Sequence, residues 1–177
     1  HQLTRRQRQM CIRDRVNLPE DYKILDLTKG PWISGDNGFS IGKYDEFRPN
    51  VYNTDLFKSV RNIHVGIDIG GPVGTPCMAF MEGKIFDFGY NPAAGDYGNV
   101  VITEHIISSV KIWSLYGHLD SQSIINKTKG QFIEKGEVIG FFGDESENGG
   151  WEPHLHFQLS VIEPETHDLP GVVSIED

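Results

Sequence analysis

Four of the chain's seven histidines and one of its aspartates lie in short motifs that could do metal or acid–base chemistry. The stretch HLHF places His154 and His156 on one face of a predicted strand, because Leu155 and Phe157 alternate with them. Two neighbouring imidazoles would repel each other if both were protonated, which favours a shared cation or a reacting oxyanion. A polar outer face of a sheet would give the same alternation, so this stretch alone leaves both interpretations open.

The segment HVGIDIGG places His64 and Asp68 four residues apart, and its glycines and alternating isoleucines disfavour a helix. Four residues of straight strand span roughly 13 Å, which is too far for two ligands of one ion. A bend or bulge at the glycines would bring the imidazole and the carboxylate together. Without such a bend, a strand histidine and a turn-capping aspartate explain the same residues.

The motif YGHL puts His118 just after Gly117 at the end of a predicted strand, from where a side chain can point into a cleft. Together these histidines and the aspartate supply more than the two nitrogens and one oxygen that a catalytic zinc needs while leaving a position for water. Calcium and magnesium prefer shells of oxygen ligands. The residues alone do not decide which of His118, His154 and His156 binds the metal.

These motifs require strands to position them, and strands are what the sequence predicts. From Ile63 onward, runs rich in Val, Ile, Phe and Tyr recur between glycine or asparagine turns, which indicates an all-β fold, mainly an antiparallel sandwich or rolled sheet. One short helical turn is expected near 121–126. We expect residues 16–60 to form an extended N-terminal arm packing on the core, residues 61–162 the core domain, and residues 163–177 a tail or linker.

Composition limits the classes of partner. A hydrophobic content of 38% with 20 glycines suits a loop-rich globular protein, and no apolar run approaches the roughly 20 residues that a membrane span needs. The opening HQLTRRQRQMCIRDR resembles a peptide translated from sequencing-adapter DNA, so we expect residues 1–15 to be non-native or disordered. Without them, 11 lysines and arginines face 24 acids, a net charge of −13, which argues against nucleic acid as a partner.

The two cysteines, Cys11 and Cys77, predict neither a disulfide framework nor a cysteine-based zinc site, and a reducing compartment fits them. Cys77 lies in the apolar run TPCMAFMEG and is expected to be a buried strand residue.

The motifs HVGIDIG, YGHL and HLHF occur in this order, with GEVIGFFG shortly before the last. In that order and spacing they resemble the lysostaphin-type, or LytM-like, zinc metallo-endopeptidases over residues 60–162. The resemblance implies a β fold of the barrel-sandwich hybrid type. It also implies a zinc-dependent hydrolase that cleaves peptide or related amide bonds with a metal-activated water, acting on a peptide or peptidoglycan-like substrate.

The same resemblance assigns roles to the candidate residues. It implies one Zn²⁺ per chain, held by His64, Asp68 and His156. It implies that His118 and His154 are catalytic. His105 and His167 have no partner pattern and are expected to be structural or exposed.

The loop GDESENGGWEP departs from the small-residue turn that is usual in the family at this point. Trp151 is a possible stacking surface, and the acids of the loop predict negative charge at a cleft rim; they are Asp144, Glu145, Glu147 and Glu152. A solvated acidic loop is the alternative. The arm segment EFRPNVYNTDLF could cover the site, as occluding arms do in some family members, with Tyr52 or Asn50 reaching the metal.

The compartment stays open at this stage. The chain as it stands has no signal peptide and fits the cytoplasm, whereas a truncated start would fit an extracytoplasmic enzyme. Similar domains also occur inside large bacterial fusion proteins. The alternative function is therefore a non-catalytic, metal-containing binding or regulatory module, such as a domain of a larger fusion enzyme.

Overall fold

The computed structural model describes residues 15–30, 38–58 and 60–177, in which nearly all regular structure is β. The predicted all-β fold is confirmed. Helical structure in these residues is limited to a 3₁₀ turn at Asp55–Phe57 and a four-residue helix α1 at Gln122–Ile125, which matches the expected helical turn. Within the same residues, no helix has the length and apolarity that crossing a bilayer requires. The predictions for residues 1–14, including Cys11, lie outside the described part of the chain.

One sheet of eight strands forms the body of the protein. Across the sheet the strands are β1 (Lys23–Ile24), β2 (Ser40–Gly42), β5 (Ile67–Gly70), β12 (His154–Ser160), β9 (Val110–Leu119), β8 (Gly98–Ile107), β7 (Gly83–Asn91) and β10 (Phe132–Ile133). All neighbours are antiparallel except β1 and β2, which are parallel. The motif-bearing strands β5, β12 and β9 are therefore adjacent near the middle of the sheet.

Two smaller sheets complete the fold. One has three strands in the order β13 (Val172–Val173), β4 (Ile63–His64) and β3 (Glu46–Phe47), and the other pairs β11 (Val138–Phe141) with β6 (Pro76–Met78). The C-terminal residues therefore fold back onto the body, with Val172 opposite His64. Cys77 is fully buried in β6, as expected from its apolar context.

Strand alternation explains how the large sheet has an apolar and a polar side. In β12 the side chain of Leu155 is fully buried in the main core cluster, with Ile69 of β5 and Tyr116 of β9, while the neighbouring histidines face the opposite side. Burial of such side chains contributes about 1.5–3 kcal/mol each. Towards the end of the same strand, Leu159 is 50% exposed.

Residues before position 60 share sheets with residues of the predicted core. Strand β2 pairs with β5, and β3 pairs with β4. Val51, Tyr52 and Phe57 form a second apolar cluster with Val172 of the C-terminal strand. The division into arm, core and tail at residues 60 and 162 stays a prediction.

We expect Leu155→Ala to lower the free energy of unfolding by about 2–5 kcal/mol, because it leaves a cavity in the main core. Leu159→Ala, at the exposed end of the same strand, is the matched control and should change the stability by less than about 1 kcal/mol. Urea denaturation followed by circular dichroism measures both values. Equal losses in the two variants would contradict the placement of the core.

Candidate functional site

Three side chains from two sheets meet between β4, β5 and β12: His64, Asp68 and His156. In the antiparallel pairing of β5 and β12, His156 lies directly opposite Asp68. His64 Nε2 lies 3.1 Å from Asp68 Oδ1 and 3.0 Å from His156 Nδ1, and His156 Nδ1 lies 3.1 Å from Asp68 Oδ1. All three residues are buried. One atom from each therefore belongs to a nearly equilateral triangle.

The approach of His64 to Asp68 depends on a break in the chain at Gly66. Strands β4 and β5 belong to different sheets, and Val65 and Gly66 separate them. Gly66 has a positive φ of 156° and lies against the His156 ring, so a Cβ there would lie 2.5 Å from His156 Cε1. The chain therefore bends at Gly66, one of the two alternatives that the sequence leaves open, and the roughly 13 Å of a straight strand is replaced by direct contact.

Hydrogen bonds outside the triangle fix which nitrogen of each imidazole carries the proton. His64 Nδ1 lies 3.0 Å from the carbonyl oxygen of Lys43 and donates to it. Gln158 Nε2 donates to the carbonyl oxygen of Pro170, which turns Gln158 Oε1 towards His156 Nε2 at 3.2 Å. His156 Nε2 therefore donates to that oxygen. The lone pairs of His64 Nε2 and His156 Nδ1 point into the triangle.

This donor set fits a cation, and zinc in particular. Two nitrogen lone pairs and a carboxylate oxygen within 3.1 Å of one another, with no proton between them, attract a positive charge. Zinc bound at 2.0–2.2 Å holds the ligand atoms of a tetrahedral site roughly 3.3 Å apart, close to the distances observed. His64, Asp68 and His156 could therefore hold a metal ion.

The second carboxylate oxygen of Asp68 is bound by Arg48, a residue that sequence reasoning missed. Arg48 Nη1 lies 2.7 Å from Asp68 Oδ2, and the arginine is 1% exposed. Burial alone would raise the pKa of Asp68, but the charge of the Arg48 guanidinium beside it holds that pKa well below its usual range. Asp68 is therefore ionised at neutral pH.

Two further histidines, His118 and His154, lie beside the triangle. His118, the next-to-last residue of β9, has a φ of 64°, and its Nδ1 donates to the carbonyl oxygen of Asn148 at 2.7 Å. His154 Nδ1 donates to the carbonyl oxygen of Glu152 at 2.7 Å. The two rings lie 4.2 Å apart between centroids, and His154 Nε2 lies 3.8 Å from Asp68 Oδ1. Each ring therefore keeps a lone pair on Nε2.

Both imidazoles are neutral at pH 7. Burial lowers the pKa of His154 to about 4 and is also the main reason that the pKa of His118 lies well below its usual value. A neutral imidazole with a lone pair on Nε2 can take a proton from water or from a reacting group. The structure thus brings His118 and His154 into the same cleft as the triangle.

The cleft is lined by parts of the chain that lie far apart in sequence. Tyr52 contributes to one wall and Trp151 to another, whereas Asn50 is exposed and does not line the cleft. The loop acids are not among the residues that line the cleft, and the acidic rim stays a prediction; these acids are Asp144, Glu145, Glu147 and Glu152. Asp144 Oδ1 accepts a hydrogen bond from Ser146 N within the loop.

Sequence reasoning also missed Tyr97 and the C-terminal wall of the cleft. The Tyr97 hydroxyl donates to the carbonyl oxygen of Leu169 at 3.0 Å and lies 3.5 Å from His156 Nε2. Burial raises the pKa of Tyr97 well above its usual value, so it stays protonated. No local pattern marks these residues, since 72 positions separate the two partners.

His105 and His167, which the sequence predicts to be structural or exposed, do not belong to the triangle. His105 is buried and its Nε2 contacts Thr103 Oγ1 at 2.6 Å and Ser114 Oγ at 3.2 Å, which makes it structural as expected. His167 is half-buried and lies against Gly89.

We expect Gly66→Ala to weaken zinc binding by about tenfold or more, because the added methyl group would displace the His156 ring. Gly74→Ala is the matched control: Gly74 also has a positive φ, of 77°, but no atom lies within 4 Å of an added Cβ. This control should lose roughly 1 kcal/mol of stability and keep its zinc affinity. Competition with a chromophoric chelator measures the affinity, and an unchanged value for Gly66→Ala would contradict the packing described.

Comparison with known proteins agrees with this geometry. The chain is 35% identical over 99 residues to the DD-carboxypeptidase/endopeptidase Mpg of Neisseria meningitidis serogroup B, a match that covers 56% of this chain and 20% of Mpg. It is 34% identical over 98 residues to the peptidoglycan DD-endopeptidase ShyA of Vibrio cholerae, covering 55% of this chain and 20% of ShyA. The chain thus spans about one fifth of the length of these relatives.

A solved structure and a family profile also match this chain. The solved catalytic domain of lysostaphin from Staphylococcus simulans superposes with a TM-score of 0.54 and 24% identity, covering 77% of this chain and 88% of that domain. This likeness concerns the fold. Residues 62–167, well over half of the chain, match the profile of peptidase family M23. The chain therefore belongs to peptidase family M23, whose members are zinc-dependent peptidases.

Proposed function

We propose that this domain is a zinc-dependent endopeptidase and that its substrates are peptides of peptidoglycan. The observation that carries the proposal is the buried triangle of His64 Nε2, Asp68 Oδ1 and His156 Nδ1 beside two neutral imidazoles. Membership of family M23 supports peptide-bond hydrolysis. The relatives Mpg and ShyA, an endopeptidase and a peptidoglycan endopeptidase by name, support the substrate.

His64, Asp68 and His156 would hold the metal. A zinc ion there supplies a Lewis acid that polarises the scissile carbonyl and makes water a nucleophile at neutral pH. Three protein ligands leave a position open for water or substrate, which is the pattern of catalytic rather than structural zinc sites.

His118 and His154 would carry the proton transfers. With Nδ1 of each ring donating to a main-chain carbonyl, Nε2 can accept a proton from the attacking water and return it to the leaving amine. Their low pKa values keep both rings unprotonated before the reaction. When His154 takes up a proton, the Asp68 carboxylate 3.8 Å away stabilises the resulting imidazolium.

The cleft suits a peptide without strong negative charge. Tyr52, Tyr97 and Trp151 supply flat aromatic surfaces along its walls, on which a peptide chain can pack. Asp96 and Asp168 also line it, and the chain carries a net charge of −9. This charge disfavours an anionic substrate by long-range repulsion.

We expect one zinc ion per chain in the wild type, and its loss in His64→Ala and in His156→Ala. Protein purified without added metal is analysed by elemental analysis after circular dichroism has shown that each variant is folded. His167→Ala, a histidine outside the triangle, is the control and should keep its zinc. A folded wild type that binds no zinc, even when the metal is supplied, would overturn the proposal.

We expect His118→Asn and His154→Ala to keep zinc but to lose about 10²–10⁴-fold in the rate of peptide hydrolysis, because they remove proton transfer and not metal ligands. Asparagine is chosen at position 118 because it tolerates the positive φ of His118. Hydrolysis of crosslinked muropeptides is followed by chromatography. Wild-type rates in both variants would exclude these two histidines from catalysis.

A further inference from the structure

We propose that Arg48 is a positioning residue for the metal centre, which makes residues 42–48, from the end of β2 to the residue after β3, a working part of the site. The inference rests on the metal site proposed above. It concerns how Asp68 is held in place, and it assigns a role to a residue that lies 20 positions before Asp68 in the chain.

The two oxygens of Asp68 have different partners. Oδ1 faces the two imidazole nitrogens of the triangle at 3.1 Å. Oδ2 accepts a hydrogen bond of 2.7 Å from Arg48 Nη1, a charge-assisted contact at the short end of the usual range. Holding Oδ2 fixes the rotation of the carboxylate, so that Oδ1 is already directed at the triangle before a metal arrives.

Arg48 is itself held in one orientation by other acceptors. Its Nε donates to Glu46 Oε2 at 3.0 Å, its Nη1 also to the Tyr52 hydroxyl at 3.0 Å, and its Nη2 to the carbonyl oxygen of Lys43 at 3.2 Å. The side chains of Arg48 and Glu46 are 2% and 4% exposed. A planar guanidinium fixed by this many acceptors cannot rotate away from Asp68. A lysine in its place could, because its ammonium group is a single point charge on a flexible stem.

The same segment, residues 42–48, also orients a second ligand. The Lys43 carbonyl oxygen accepts hydrogen bonds from both Arg48 Nη2 and His64 Nδ1. In addition, Glu46 lies opposite His64 in the pairing of β3 with β4. Residues 42–48 therefore set the direction of His64 through the main chain and that of Asp68 through Arg48. Partners of metal ligands that act in this way typically change metal affinity by 10–100-fold when they are removed.

A double-mutant cycle on zinc affinity tests the role of Arg48. The dissociation constant for zinc is measured by chelator competition for the wild type, Arg48→Met, Asp68→Asn and the double variant. We expect Arg48→Met to weaken binding by about 10–100-fold in the wild-type background. In the Asp68→Asn background it should change the affinity by less than about threefold, because the group through which it acts has been altered.

Tyr52→Phe is the matched control. It removes one partner of the same guanidinium but leaves the contact between Arg48 and Asp68 in place, so the zinc affinity should stay within about threefold of the wild type. If Arg48→Met fails to fold because it leaves Glu46 buried without its partner, the cycle is run with Glu46→Gln added to every member, which removes that charge.

The outcomes separate this inference from the proposed function. Equal losses of zinc affinity on Arg48→Met in both backgrounds would show that Arg48 acts through the general fold. An unchanged affinity in the wild-type background would show that Asp68 needs no positioning. Either result overturns the inference. A wild type that binds no zinc would overturn the proposed function itself. Coupling confined to the background that retains Asp68 supports both.

Discussion

The structure depends on one electrostatic constraint: His64 Nε2, Asp68 Oδ1 and His156 Nδ1 are held within 3.1 Å of one another in the protein interior. Without a cation, two imidazole lone pairs and a carboxylate oxygen repel each other, and the low dielectric of the interior strengthens that repulsion. Folding has to overcome this repulsion with hydrogen bonds around the outside of the triangle. The contacts of Lys43, Arg48 and Gln158 supply them.

The constraint also explains the way the sheets are joined. His64 belongs to the three-stranded sheet, whereas Asp68 and His156 belong to the eight-stranded one. The short link at Gly66 lets one chain segment contribute to both sheets, and the C-terminal strand β13 pairs with β4 at the edge opposite β3. A metal ion bound by all three residues would connect the two sheets at their junction, so metal binding and the stability of that junction are coupled.

The sequence predicts those parts of the site that depend on local pattern. The alternation of HLHF places His154 and His156 on one face, and the glycines of HVGIDIGG indicate the bend that brings His64 to Asp68. The role of Arg48 could not be predicted, because its contact with Asp68 depends on how β2, β3 and β5 pair. The loop before β12 is predicted as an acidic rim, but the parts of it that reach the site are the Trp151 side chain, which lines the cleft, and the Asn148 carbonyl oxygen, which orients His118.

Three of the four clustered imidazoles are oriented by main-chain oxygens: His64 by Lys43, His118 by Asn148 and His154 by Glu152. A carbonyl oxygen is present whatever side chain its residue carries, so no side-chain substitution at those three positions deletes the acceptor itself. His156 differs, because its partner is the side-chain oxygen of Gln158. The effect of substitution is therefore unevenly distributed: the acceptors for His64, His118 and His154 belong to the main chain, whereas a change at position 158 can remove the side-chain oxygen that sets the tautomer of His156.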